Sequence, residues 1–344
     1  MLTRERAICR RDGPEVLLPV RGGGAAHAVI LSPYMRILTF RGDDGARLGV
    51  LHGDDLVVDV AELGRSAGDA ALPATMLEAI RQGPDGLQRI RDLAGAAPSA
   101  ASPPLTRRLD DIALLAPLDP PVGNVVAVGR NYGRHVEEAN RATGRPASQS
   151  TVAFFTKAQT SIAGPLDDLR LDFSISDQMD WEVELGVVVG RTGINIPEDR
   201  ALEHVFGYTV VNDISARDIQ MNWGGQYFKG KSVDYSCPTG PWIVTTDEIG
   251  DPQSLQLQTL VNGAVKQDAN TVDMIAGVAE IISRLSFGMT LPAGTLIATG
   301  TPEGVGFARQ PAEFLHDGDL LESYVERIGT LRNRIVAAVP SPVR

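Results

Sequence analysis

The chain of 344 residues holds only two cysteines, Cys9 and Cys237. Neither lies in a C-x-x-C pair, which excludes a zinc knuckle or a thioredoxin-like motif. Two lone thiols suit a reducing compartment, and the expected location is cytoplasmic. No run of 18 apolar residues occurs, so no membrane-spanning helix is expected. Arg4, Arg6, Arg10 and Arg11 open the chain, but no apolar core follows before Asp12 and Glu15, and no secretory signal is read there. Positive charge is also scarce. The chain has 32 Lys and Arg against 43 Asp and Glu, a net charge of −11, and no Lys or Arg run. A nucleic-acid binder needs a basic face for phosphates, so nucleic acid is not an expected partner.

A hydrophobic fraction of 43% and a charged fraction of 22% describe an ordinary globular protein. Residues 1–34 differ from the rest. They carry five Arg, no Lys and a GGG, and are expected to be a loosely packed extension, with Met35 the native start. From 35 the text turns to short alternating runs (RILTF, then ARLGVLHGDDLVVDV) parted by Asp-Gly turns, a β-meander signature. Helices are expected near 72–81 and 86–93, and AGAAPSAASPP at 94–104 reads as a linker. Residues 35–118 form the expected small N-terminal β-rich domain and 119–340 the catalytic one. In the latter, apolar β-branched runs recur at 125–129, 185–190, 207–212, 241–246, 257–263 and 295–300. One amphipathic helix is expected over 271–286. Many strands and few helices, not in alternation, predict an α+β, mostly β fold.

Residues 225–232, GQYFKGKS, satisfy the G-x-x-x-x-G-K-[ST] pattern of a phosphate-cradling loop. Such a loop needs a buried strand before it and a helix after it, whose N-terminus meets the phosphates. RDIQMNWG precedes it, and SVDYSCPTGP, with Pro238, Gly240 and Pro241, follows. No helix of any length is expected there, so the match reads as chance and Lys231 is open to another role.

The sharpest signal is DQMDWEVELGVVVG, 177–190. On a strand Asp180, Glu182 and Glu184 share one face, with Trp181, Val183 and Leu185 on the other. An acidic solvent face is the bland explanation. Stacked like charges that run straight into GVVVG argue instead for a cation between them. Asp213, at the end of VFGYTVVN, is either a third ligand or a helix N-cap. Carboxylates without His or Cys favour a hard cation, Mg²⁺, Mn²⁺ or Ca²⁺. Arg217 and Gln220 share a helical face and either hold a substrate carboxylate or meet a surface acid and solvent. His135 and Glu138 at i and i+3 are either an oriented general base or a surface helix pair. TGTPEGVG, 299–306, is a Gly-rich turn whose N–H groups either bind an anion or merely form a tight turn.

In order, GRNYGRHVEE, FFTKAQTSIAGP, DWEVELGVVVG, VNDISARDIQ, GKSVDYSCPTGP and TGTPEGVG resemble the fumarylacetoacetate hydrolase (FAH) family over about residues 120–338. Residues 35–118 resemble the small N-terminal domain of its longer bacterial members. The resemblance implies a β-roll catalytic domain, a homodimer and a divalent metal on Glu182, Glu184 and Asp213. It implies Lys231 as a cation near a developing oxyanion, and a His135–Glu138 dyad on a segment over the site. Arg217, Gln220 and Thr301 would contact the substrate. The implied activity is hydrolysis of a carbon–carbon bond in an acylpyruvate or other 1,3-dioxo acid, a small-molecule substrate from aromatic or related catabolism. Decarboxylation of an oxo acid, or isomerisation of a 2-hydroxyhepta-2,4-diene-1,7-dioate, is the alternative on the same site. A binding protein with a dead site, or a dehydratase or lyase acting on a sugar or ureido acid, are further alternatives.

Overall fold

A computed structural model describes residues 35–339 except 96, 99 and 145–151. The expected extension, 1–34, lies outside the described residues. The main sheet starts with the predicted meander. Strands Arg36–Gly42, Gly45–His52 and Leu56–Asp59 pair antiparallel in succession, and Thr106–Arg108 closes that edge. From Arg36–Gly42 the sheet passes to Cys237–Thr245, then Val205–Asn212, Val183–Val189, Leu296–Ala298, Val125–Gly129 and Ala153–Lys157. It therefore joins strands from both sides of position 118/119, where the sequence reading divides the chain. A second sheet has the order Ala264–Asn270, Gln256–Val261, Leu320–Val325, Gly329–Ala337 and Leu169–Leu171. The fold is mostly β with some helices, as the recurring β-branched runs predict.

All seven residues of Val183–Val189 are buried, because the strand is central in the sheet and covered on both faces. Its register decides where the chemistry collects. Val183 pairs with Asn212 antiparallel, so the start of this strand meets the end of Val205–Asn212. Gly186 pairs with Ala298, and Ala298 lies parallel to Ala127. The segments after Asn212, Ala298 and Gly129 thus leave the sheet at the end where Glu182 and Glu184 enter it.

Three expectations need correction. The strand does not run unbroken from Asp180. Met179–Asp180 pairs with Ser215–Ala216 in a separate ribbon, and the ladder restarts at Val183. The helix over 271–286 is confined to Val278–Ser286, after a short 3₁₀ turn, Thr271–Asp273. Asn131 holds the intervening chain extended. Its side chain donates to Ala276 O (3.0 Å) and accepts from Ala276 N (2.8 Å), and its carbonyl accepts from Ile275 N (2.7 Å). Two N-terminal helices lie within Met76–Ala94 as expected, parted by the non-helical Gly83 (φ 63°, ψ −150°) before Pro84, and only the start of the first one differs. Thr75 caps it through Glu78 N, which moves its start past residue 72. A further helix, Val60–Ala67, was not foreseen.

No described helix is long and apolar enough to cross a membrane.

Candidate active site

Glu182 and Asp213 are locked side by side. Asp213 N donates to Glu182 O (2.8 Å), and Glu182 N donates to the Asn212 side chain (3.0 Å). Glu184 follows two residues on, as the second residue of the strand Val183–Val189. One oxygen from each of the three carboxylates falls within 4.8 Å of the others, and all three residues are buried. This rules out an acidic solvent face. Asp213 is no helix cap either: the helix Arg217–Asn222 starts after Ala216 without a side-chain cap.

Asp180 does not join the cluster. Its carboxylate accepts from Gly306 N (2.6 Å), Phe307 N (3.1 Å) and Arg217 Nε (2.8 Å). Its work is to orient Arg217, so it positions a cation instead of adding a ligand. Replacing Asp180 with Ala leaves that buried guanidinium short of a partner. The expected result is a loss of about 3 kcal/mol or more in a denaturant titration, together with a raised KM. An unchanged midpoint would mean that Arg217 finds another anchor.

Three buried cations face the four buried acids. Lys231 Nζ donates to Glu182 (2.6 Å) and Asp213 (2.7 Å) and sits 5.2 Å from the Phe155 ring centroid. Lys157, unremarked in the sequence, lies 2.7 Å from Asp213 Oδ1 and donates to Ile214 O and Ser236 Oγ. Arg217 places Nη2 2.6 Å from Glu182 Oε1. Burial works to raise the Glu182 carboxyl, but Lys231, Arg217 and His135 hold it down to about 2. Burial works against the charge of Lys231, yet Asp213 and Glu182 keep its pKa above the usual lysine value. Glu184 differs. Burial, then Asp213 and Glu182, push its carboxyl well above the ordinary range, and its hydrogen-bond donor is the backbone N–H of Gly300 (2.7 Å).

The residues present fit a divalent cation. Oxygen donors from three carboxylates are what a hard cation takes. Glu184 is the member of the triad that no ammonium or guanidinium offsets among the described ion pairs.

Lys231 ends a one-turn helix, Phe228–Lys231, and a strand follows from Cys237. The geometry of a phosphate loop is absent: the helix precedes the lysine instead of following it.

His135 and Glu138 lie on the helix Gly133–Thr143, with His135 Nδ1 3.0 Å from Glu138 Oε1. His135 is buried, and Gly304 N donates to both Glu138 oxygens (3.1 and 3.0 Å), so this is no exposed surface pair. The Gly-rich turn does bind anions, but they are the protein's own. Gly300 N holds Glu184, Gly304 N holds Glu138, and Gly306 and Phe307 N hold Asp180. Gly304 has φ 98°, and a Cβ there would run into the Lys266 carbonyl, so glycine is required. The Thr301 hydroxyl donates to Val183 O (3.0 Å) and accepts from Gln267 (2.8 Å). Gln220 accepts from Arg217 Nη1 (3.0 Å).

A cavity of about 470 Å³ gathers these groups, and His135, Glu182, Arg217, Gln220, Lys231 and Thr301 all line it. That volume is in the range of small-molecule sites. Glu184, Asp213 and Glu138 stand behind this lining, joined to it by the bonds above.

The sequence pattern of the fumarylacetoacetate (FAA) hydrolase C-terminal family matches residues 124–336. Oxaloacetate tautomerase YisK of Bacillus subtilis is 36% identical over 291 residues, covering 84% of this chain and 95% of that protein. The structure resembles a fumarylacetoacetate hydrolase from the psychrophile Exiguobacterium antarcticum, with TM-score 0.71 and 37% identity over 88% of this chain and 99% of that one. It also resembles a 2-hydroxyhepta-2,4-diene-1,7-dioate isomerase from Mycobacterium marinum, with TM-score 0.65 and 33% identity over 88% and 98%. With the family pattern spanning the site-bearing sheet and full-length relatives above 30% identity, the chain belongs to the fumarylacetoacetate hydrolase family.

Proposed function

We propose that the protein moves a proton between the keto and enol forms of a small 2-oxo acid, with oxaloacetate the first substrate to test. The observation that carries this reading is that His135, held by Glu138, lines one cavity with the buried cations Lys231 and Arg217, beside a triad suited to a divalent ion. Similarity to an oxaloacetate tautomerase over nearly its whole length, and to a dienedioate isomerase, supports it. A divalent cation on Glu182, Glu184 and Asp213 would supply Lewis-acid stabilisation of enolate charge. Glu138, held by Gly304, fixes the imidazole through Nδ1 and leaves Nε2 as the free ring nitrogen. In its unprotonated form His135 takes the proton from the carbon beside the carbonyl and returns it there or passes it on to oxygen. Lys231 stays charged and offers N–H donors to the developing oxyanion. Arg217 and Gln220 steady the carboxylate end.

Hydrolytic cleavage of an acylpyruvate is the second reading. The dyad favours it, since a base oriented by a carboxylate also draws a proton from water. Both readings are tested by dissolving oxaloacetate and following its enol absorbance with protein and Mg²⁺, then with chelator. The expected result is a metal-dependent rise in the rate of tautomer exchange without pyruvate. Exchange at the uncatalysed rate would overturn the proposal, and pyruvate release from acetylpyruvate would move the assignment to hydrolysis.

A further inference from the structure

Trp181 stands between Asp180 and Glu182, where strand alternation makes it a core residue. It is 1% exposed and packs in an apolar cluster with Met179, Ile214 and Leu315. Its one polar atom points to the site instead. The indole Nε1 donates to the Gly304 carbonyl (3.1 Å). Gly304 N in turn donates to both Glu138 oxygens (3.1 and 3.0 Å), and Glu138 Oε1 lies 3.0 Å from His135 Nδ1. Three hydrogen-bonded links thus join the residue before Glu182 to the imidazole that lines the cavity.

The other restraints on this turn are weaker. Arg309 Nε reaches the Gly304 carbonyl only at 3.4 Å, and its Nη2 is engaged with Lys266 O (2.7 Å). The Lys266 carbonyl blocks one side of Gly304 but offers it no hydrogen bond. The helix Gly133–Thr143 has a second tie to the turn, Arg134 to Glu303 at 3.3 Å, but Arg134 is 80% exposed and such a pair is worth little. The indole itself is steadied by Lys266 Nζ, 5.8 Å from its ring centroid.

From this we infer that Trp181 is a positioning residue for the proton-transferring base. It holds Gly304 so that the Gly304 N–H fixes Glu138, and Glu138 fixes the His135 ring. Asp180 holds Gly306, Phe307 and Arg217, Trp181 holds the dyad, and Glu182 belongs to the triad. Three consecutive residues therefore set the spacing between the three working parts of the site. The effect on the ring rests on geometry alone, and the effect on rate rests on the proposed proton transfer.

The test uses the full chain labelled with ¹⁵N-histidine, beside steady-state kinetics with oxaloacetate and Mg²⁺. A carboxylate only accepts, so wild-type His135 is expected to show the Nδ1–H tautomer, its signal identified by loss in His135→Gln. Trp181→Phe removes the N–H and should mix the two tautomers. It should also lower kcat by about two- to tenfold, the worth of one hydrogen bond, with KM and Mg²⁺ affinity within about twofold of wild type. In a Glu138→Gln background the same change should cost nothing further, because both act through one route. Thermal unfolding checks the fold. A 3-benzothienylalanine at 181, the indole's shape without its donor, repeats every measurement free of any packing loss. A His135 spectrum unaltered in both variants overturns the inference, as does a kcat loss of equal size with and without Glu138. Mixed tautomers in a protein that does not turn over oxaloacetate leave Trp181 its role and remove the tautomerase reading. Turnover with an unaltered spectrum does the reverse.

Discussion

Glu184→Gln is expected to abolish divalent-cation binding and turnover while leaving the metal-free protein no less stable than wild type. The reasoning starts from the three carboxylates within 4.8 Å of each other. Lys231 and Arg217 offset Glu182, and Lys231 and Lys157 offset Asp213. Burial and the other two carboxylates push the Glu184 carboxyl upward, so its charge opposes folding. Glutamine keeps the shape and still accepts the Gly300 N–H, but it removes the charge that a cation needs. Glu182→Gln is the contrast. It takes from Lys231 and Arg217 one of the two acids that each pairs with, and breaking a buried pair costs about 3–5 kcal/mol. Titration with Mg²⁺ or Mn²⁺, beside thermal unfolding in chelator, separates the two. If Glu184→Gln destabilises the metal-free chain as much as Glu182→Gln does, the charge argument fails. If it binds Mg²⁺ as wild type does, Glu184 is no ligand.

His135→Ala is expected to lower kcat by about 10²- to 10⁴-fold, the usual worth of a general acid–base. Mg²⁺ affinity should change by no more than about twofold, since His135 is not in the triad. The dyad hangs on the Gly304 N–H, which holds both oxygens of Glu138. Glu138→Gln keeps the side chain's length but weakens its hold on Nδ1, and should lose less activity than His135→Ala. Steady-state kinetics with a parallel metal titration decides the matter. Activity in His135→Ala within a few fold of wild type would remove the proton-transfer role. A matching collapse of metal affinity would instead show that His135 supports the triad.

Much of the site was legible before any coordinates. The spacing of Glu182 and Glu184 needs only the two-residue period of a strand, and Asp213 stands where an apolar run ends. The same period misled at Asp180. Alternation assigned it to the ligand face, but the ladder breaks at Trp181–Glu182 and Asp180 turns to Arg217 and the Gly306–Phe307 turn instead. The helix over 271–286 failed for a related reason. Its periodicity is real from Val278 onward, but Asn131, 145 residues earlier than Ala276, draws the preceding stretch out of helical form. Lys157 and Arg130 left no local signal at all. A lysine in FFTKAQ and an arginine in VGRNYG look ordinary until the fold buries one against Asp213 and leaves the other's Nη2 without an acceptor among the described residues.

The order of motifs along the chain determined the family, the mostly β fold, the carboxylate triad and the His135–Glu138 pair. These rest on local periods and on residue chemistry that a one-dimensional string preserves. The tertiary structure alone decided who partners whom. Antiparallel register placed Asp213 beside Glu182, and the turn from Thr299 to Phe307 gave its N–H groups to Glu184, Glu138 and Asp180. Register and long-range closure also determine which acid each buried cation meets. Those pairings join residues tens to more than a hundred positions apart, where no local pattern reaches.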